Sequence, residues 1–368
     1  MPEGLLGDLK VVDLSRILAG PWATQLLGDM GANVVKVERL GVGDDTRKWG
    51  PPFIDQTASY FYCTNRNKES IAVDFQNSAH LTSLKKLILE ADILVENFKP
   101  GGLRKFGLDY ESLKSECPKL IYCSILGFPS DSQFAEQAGY DAIIQAMSGL
   151  ISINGTDEVN VKTGVAVSDL FSGMYAATGI LAAVHERKKS GLGQKLEISL
   201  LGSQVACLAN VVQGFLQTKE NPKAYGTAHP SIVPYQVIRT ADRPVMLAVG
   251  NDNQFAQLCE KLGVEWNLDS RFSSNASRVE NREILISMVE AKFSEFSFAD
   301  LSELLIEIKV PHGPVNSMSE CYDEFPELFG KYADSDVEYV RNPIQFSRSQ
   351  ISYDVPPDLP SKGLDSES

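Results

Sequence analysis

The hydrophobic pattern changes period repeatedly along the chain, and the first 125 residues alternate short apolar runs with helical stripes. Lys10-Val11-Val12-Asp13-Leu14 reads as a strand, and Gly20-Pro21 opens a helix through Met30. Proline suits that opening turn because its missing N–H would be unpaired there anyway. Gly31 stops the helix, and Asn33-Val34-Val35-Lys36-Val37 forms the next strand. After a loop rich in Gly, Asp and Pro over 41–53, strands are expected at 70–74, 92–95 and 120–123, separated by helices. Short buried strands alternating with helices specify an α/β fold with a doubly wound, Rossmann-like parallel sheet. Ligands on such sheets sit beyond the carboxyl ends of the strands.

Two longer helical stretches follow at 140–150 and 170–188, then a strand at 195–199 and a helix over 203–216. Pro222, Gly226 and Pro230 mark a crossover into a smaller α+β domain with strands near 235–239 and 245–249 and helices near 253–262, 278–293 and 298–308. The expected organisation is a large domain over 1–220 that takes the chain back at 320–357, and a small domain over 221–319. Residues 358–368, rich in Ser, Asp, Pro and Lys, are expected to be a disordered tail.

Charge narrows the function. The 368 residues carry a formal net charge of −14, which argues against nucleic acid as a partner because phosphate neutralisation needs a basic face. A small anionic ligand is still compatible, held by local cations and helix N-termini. The apolar runs fall short of the roughly 18–20 residues that span a bilayer, so no membrane partner is expected. The start shows neither a secretory signal nor a transit peptide. Six cysteines without a C-x-x-C pair and four dispersed histidines point to a reducing compartment, buried thiols and no metal site.

No G-x-G-x-x-G joins a strand to a helix, and neither a G-x-S-x-G elbow nor a P-loop is present. Nicotinamide, common hydrolase and ATPase chemistries therefore lose their support. Asp169 heads a helix whose apolar positions Leu170, Met174, Ala177, Leu181 and Val184 keep helical spacing. Unpaired N–H groups and the helix dipole there are expected to keep a carboxylate ionised, and an ionised carboxylate is a competent nucleophile toward a thioester. On the residues alone, an N-cap beside Ser168 is the commoner meaning of that pattern. Arg39, ending the second strand, suits an anionic ligand or a solvated surface. The loop Asn97-Phe98-Lys99-Pro100-Gly101-Gly102-Leu103-Arg104-Lys105 combines two glycines with three cations, which fits a phosphate-wrapping loop or a solvent loop.

Several stretches resemble signature blocks of the class III CoA-transferases, the family of formyl-CoA transferase, carnitine CoA-transferase and α-methylacyl-CoA racemase. They are Leu18-Ala19-Gly20-Pro21, Gly31 to Arg39, Asn67-Lys68-Glu69-Ser70-Ile71, Val95-Glu96-Asn97-Phe98, Val167 to Gly173 and Gly191-Leu192-Gly193-Gln194. The resemblance runs in order from about Gly7 to Pro357. It implies that Asp169 is the nucleophile, that Tyr140 joins it as a catalytic residue, and that coenzyme A is held by Leu18, Ala19, Arg39, Val73, Asp74, Phe75, Gln76, Asn97, Phe98, Lys105 and Tyr140. Arg104 offers an alternative reach to the phosphate. The active-site loop of the family corresponds to the segment holding Gly250 and Asn251, which has one glycine. Tyr140 stands where the racemases carry histidine, and a phenol of pKa about 10 is a poor base near neutrality, which favours acyl transfer over racemisation.

The stretches 43–53, 203–208 and 226–236 are similar to the branch that exchanges CoA between succinyl-CoA and a dicarboxylic acid such as glutarate or 3-hydroxy-3-methylglutarate. The chemistry implied runs through an aspartyl anhydride and an aspartyl-CoA thioester, with acyl-CoA and carboxylic acid as substrates and no cofactor beyond coenzyme A. An acyl-CoA racemase and an inactive CoA-binding relative are the alternatives. The resemblance also implies an interlocked homodimer and a mitochondrial matrix location, with the cytoplasm as the alternative. Family members usually continue past Pro356-Pro357 with a Leu-Gly-x-His-Thr segment and a final helix. Here the chain reads Asp358-Leu359-Pro360-Ser361-Lys362-Gly363, which bears on closure of the large domain and on the dimer.

Overall fold

The computed structural model describes residues 4–156 and 158–364. Six strands form one parallel sheet: β1 (Lys10–Asp13), β2 (Asn33–Arg39), β3 (Lys68–Val73), β4 (Ile93–Glu96), β5 (Ile121–Leu126) and β6 (Lys195–Ser199). Their order is β3-β2-β1-β4-β5-β6. All of β4 and β5 is buried, as expected for strands covered on both faces. The order reverses between β1 and β4, and a doubly wound sheet opens a crevice at such a reversal.

The helices of this unit are α1 (Ala19–Asp29), α2 (Ser78–Leu89), α3 (Asp141–Met147), α4 (Val167–Ser190), α5 (Leu200–Cys207) and α6 (Ala209–Thr218). The single helix expected over 203–216 is two, parted at Ala209, whose φ is 43°. α4 has 24 residues and a mean hydropathy of 1.4 over its best window, which by length and composition would suffice to cross a membrane. The expectation that no segment reaches that length is corrected here. The helix packs in a core instead: Ala176, Ala177 and Ile180 are buried with Ala23 and Leu27 of α1. A Cβ at Gly173 would stand 2.5 Å from the Ala19 carbonyl oxygen, so only glycine lets α1 begin against the first turns of α4.

The chain divides into two compact units: Met1–Ile151, Lys162–Glu220 and Glu327–Ser368 in one, Ser152–Val161 and Asn221–Pro326 in the other. The return to the large unit thus falls at 327 rather than 320, and a ten-residue excursion at 152–161 joins the small unit. Within the small unit, β7 (Tyr235–Arg239), β8 (Pro244–Ala248) and β9 (His312–Pro314) form an antiparallel sheet in the order β9-β8-β7. Helices α7 (Asp252–Leu262), α8 (Arg282–Phe293) and α9 (Phe298–Glu307) complete a separate core with Phe255, Phe272, Leu285 and Phe293.

The returning chain straps the large unit. Arg66 forms a two-pronged pair with the fully buried Asp29, at 2.7 and 2.6 Å, and donates to the Val340 carbonyl at 2.7 Å. Asn342 donates to Asp29 at 2.8 Å, Asn67 to the Ser352 carbonyl at 2.8 Å, and Arg47 to the Pro357 carbonyl at 3.0 Å. Residues 358–364, expected to be disordered, continue this strap: the Leu364 N–H donates to the Ala72 carbonyl at 2.9 Å beside β3. Residues 365–368 lie outside the described residues.

Candidate active site

A charge-balanced cluster of three carboxylates and three cations gathers at the carboxyl end of β1, along β2 and the segment that follows it, and at the start of β3. Lys68 pairs with Asp13 at 3.1 Å, Lys36 with Asp44 at 2.9 Å and Arg47 with Glu38 at 2.7 Å, all with nearly fully buried side chains. Burial alone would raise the three carboxyls, but the cations outweigh it and hold each below its ordinary range. Burial, with the like charge of Lys36, brings Lys68 down to about 8 against the pull of Asp13.

This cluster fixes the loop that follows β1. Lys36 donates to the Ser15 carbonyl at 3.1 Å, and Ser15 turns its N–H and hydroxyl to Asp13. The Ile17 N–H reaches Asp44 at 3.3 Å with φ at 74°, a left-handed conformation rare for a branched residue. Such a conformation costs of order 1–3 kcal/mol and persists only where surroundings enforce it. Across the loop, Asn97 accepts from the Arg16 N–H at 2.9 Å and donates to the Arg16 carbonyl at 2.7 Å.

The loop borders a cleft of about 650 Å³ at the sheet's reversal point. Of the residues singled out in the sequence, Ala19, Arg39, Phe75, Asn97, Phe98, Lys105, Tyr140 and Asp169 line it. Phe75 meets Phe98 and Phe106 with ring centroids 6.0 and 5.1 Å apart, forming an aromatic wall beside Lys105. Leu18 is buried at the start of α1 and Val73 at the end of β3, so both support the cleft from behind. Asp74 turns its N–H to His80 and accepts from the Gln76 N–H; neither Asp74 nor Gln76 lines the cleft. Arg104 points to solvent, 75% exposed and 3.7 Å from Asp109. Gly250 and Asn251 belong to the small unit, where Asn251 caps α7 and the Gly250 N–H is taken by Gln254 at 2.8 Å.

Asp169 is the third residue of α4, not its N-cap. The cap position is Ala166, which offers no side-chain bond, and the work passes to Asp141 at the start of α3. Asp141 accepts from the Ser168 N–H at 2.9 Å and from Gln145 at 2.7 Å, while Gln145 accepts from the Thr163 N–H at 3.0 Å. The Ser168 hydroxyl donates to Gln204 of α5 at 2.8 Å. The end of α4 is thereby built before any ligand arrives. Among the described residues no cation pairs with Asp169. Burial pushes its carboxyl up to about 7, and the Asp141 charge adds to the rise. The expectation that the helix end keeps it fully ionised is corrected: desolvation and a like charge overcome the dipole, and the group is poised between its two forms near neutrality.

The sequence reading missed Asp141, although its neighbour Tyr140 was in view, because capping between two helices leaves no local pattern. It also missed Tyr60, whose phenol is raised to about 12 by burial and then by the charge of Asp169. Tyr60 sits in a one-turn helix inside a stretch rich in turn residues, edge-on to Trp49 at 5.5 Å.

Asp169 thus shares one cleft with the cations Arg39 and Lys105 and an aromatic wall, and no cluster of three or more side chains suited to a metal is found among the described residues. The model of CoA-transferase family III matches residues 6–366. A succinate–glutarate CoA-transferase from Agrobacterium fabrum is 41% identical over 95% of this chain and 92% of its own. The human succinyl-CoA:glutarate CoA-transferase is 39% identical over 96% of this chain and 83% of its own. A solved CAIB/BAIF family protein from Brucella suis superposes with a TM-score of 0.86 at 41% identity, covering 97% of this chain and 96% of its own. The chain belongs to CoA-transferase family III.

Proposed function

We propose that this protein transfers CoA from succinyl-CoA to a dicarboxylic acid such as glutarate, with Asp169 as the acyl carrier. The observation that carries the reading is the unpaired Asp169 carboxyl, raised to about 7, in a cleft it shares with Tyr140, Arg39, Asn97 and Lys105. The substrate class follows the relatives named above, two of which are named for succinate or succinyl-CoA and glutarate.

In the ionised form, an Asp169 oxygen attacks the thioester carbonyl carbon. The C–S bond breaks, CoA leaves as thiolate, and a mixed anhydride joins succinate to Asp169. The thiolate attacks the aspartyl carbonyl of that anhydride, releasing succinate and leaving an aspartyl-CoA thioester. Glutarate attacks that thioester, again expelling thiolate and forming a second anhydride. Thiolate attack on its glutaryl carbonyl gives glutaryl-CoA and restores the carboxylate. No proton is gained or lost overall. Backbone N–H groups in the first turn of α1 are suited to the oxyanions that form at each attack. Coenzyme A would lie along the aromatic wall of Phe75, Phe98 and Phe106, with Arg39 and Lys105 meeting its phosphates.

A homodimer fits the surface of the large unit. Phe171, Met174 and Tyr175 of α4 are exposed, and α6 buries none of its residues while exposing Phe215 and Leu216. Apolar faces of that kind mark contact surfaces; light scattering in solution tests the assignment, and a monomer at micromolar concentration contradicts it.

The activity is tested by mass spectrometry of acyl-CoAs after incubation with succinyl-CoA and a panel of carboxylic acids. Glutaryl-CoA or a close analogue should appear with matching release of succinate. Succinyl-CoA left intact across the panel overturns the reading.

A further inference from the structure

Arg16 stands outside the residues that the family resemblance assigns to the coenzyme, yet it lines the same cleft as Arg39. Asp45 bridges the two guanidiniums, accepting from Arg16 Nη1 at 2.7 Å and from Arg39 Nη2 at 3.1 Å. Both arginines remain about half exposed, at 46% and 54% of the side chain. Among the described residues, each guanidinium spends one nitrogen on Asp45 and keeps its remaining donors. Two like charges would otherwise repel at this range, so the shared carboxylate holds them as neighbours with a net charge of +1.

The backbone carrying Arg16 is fixed with unusual thoroughness for a surface arginine. Asn97 grips both its N–H and its carbonyl, and the next residue is locked in a left-handed turn by the buried Asp44. Solvated arginines need no such anchoring. A phosphate oxygen triad is the ligand that two forked guanidiniums with unspent donors match best.

We propose that Arg16 is a second phosphate-gripping residue for coenzyme A, acting with Arg39, while Asp45 positions the two guanidiniums side by side. This rests on the CoA-transferase reading of the same cleft. The test compares kcat/KM for succinyl-CoA, its 3′-dephospho analogue and succinyl-pantetheine in the wild-type protein, Arg16→Gln and Arg16→Lys. Arg16→Gln should lower kcat/KM for succinyl-CoA by about tenfold or more, the size expected for a lost charge-assisted contact. It should leave succinyl-pantetheine, which lacks the nucleotide phosphates, unchanged. Arg16→Lys should recover part of the loss, as a point charge replaces a fork. If the loss disappears with the 3′-dephospho analogue, the grip is on the 3′-phosphate; if it persists, the grip is on the diphosphate. An unchanged rate with succinyl-CoA overturns the proposal. So does an equal loss with succinyl-pantetheine, which would mean that the substitution merely disturbs the loop. Absence of turnover by the wild-type protein with all three thioesters would instead contradict the transferase reading, and calorimetric titration of CoA into the same variants would then decide the grip alone.

Discussion

Two regions of the large unit hide carboxylates from water and treat them in opposite ways. In the ionic cluster around β1 and β2, Asp13, Glu38 and Asp44 each meet a buried cation and are held below their ordinary range. At the start of α4, Asp169 has no cation partner among the described residues, and burial with the like charge of Asp141 raises it to about 7. Burial works in the same direction in both places, so the partner decides the outcome. Paired, a buried carboxylate becomes scaffold, fixing the loop at Ser15–Ile17; unpaired, it keeps the nucleophilicity and the high energy of its charged form. The difference separates what builds the cleft from what reacts in it.

The largest effect expected from breaking this division is at Asp169. Asp169→Asn should lower turnover by about 10⁴-fold or more, as loss of a covalent nucleophile does, without weakening the fold. Its folded pKa near 7 lies above that of an unfolded aspartate, so ionisation at pH 8 costs folding free energy that a neutral amide avoids. The variant should therefore melt no lower than the wild type at pH 8, with any advantage fading as pH falls from 7 toward 4. Thermal melts across that range check the sign, and a large loss of stability at pH 8 would contradict it.

Next comes Lys68→Met, which strips Asp13 of its nearest cation and should cost about 3–5 kcal/mol in denaturant unfolding. Asp13 would then behave as Asp169 does, with its carboxyl rising instead of falling. The deficit should be greatest near neutral pH and shrink in acid, where protonation relieves the unpaired charge. A third substitution, Asp141→Asn, removes the like charge beside Asp169 while keeping an acceptor for the Ser168 N–H. Activity in the wild type should climb with pH through about 7 as Asp169 ionises. In this variant the inflection should move down by up to about one unit; an unmoved profile would remove Asp141 from the tuning. The smallest effect belongs to Arg104→Gln. An exposed pair at 3.7 Å from Asp109 contributes little, so KM for succinyl-CoA should stay within about twofold.

The sequence carried the parallel sheet clearly, because buried strands show short apolar runs such as Ile93-Leu94-Val95 of β4. It carried the place of Asp169 too, through the helical spacing that follows it, but not its electrostatics. Whether a helix-end carboxylate is ionised depends first on how deeply the fold buries it and then on charges such as that of Asp141 in α3, 28 residues away. The ionic cluster was equally hidden: Lys36 and Lys68 sit in strands where alternation suggests exposure, and only the fold reveals their partners. Boundaries blurred where helices break without proline or glycine, as at Ala209 and at Asn281, where the helix expected over 278–293 is parted into Asn275–Glu280 and Arg282–Phe293. The strap of 340–364 has no periodicity to read, since it is held by scattered side-chain bonds from Arg66, Asn67 and Arg47 rather than by a repeating pattern.

Peptide mass spectrometry of the protein quenched in acid during turnover with succinyl-CoA would test the role of Asp169 most directly. CoA joined through a thioester to the peptide containing Asp169, and absent from the Asp169→Asn variant, is the expected result. Sustained formation of a new acyl-CoA with Asp169 unmodified, or with undiminished rate in the asparagine variant, would contradict it.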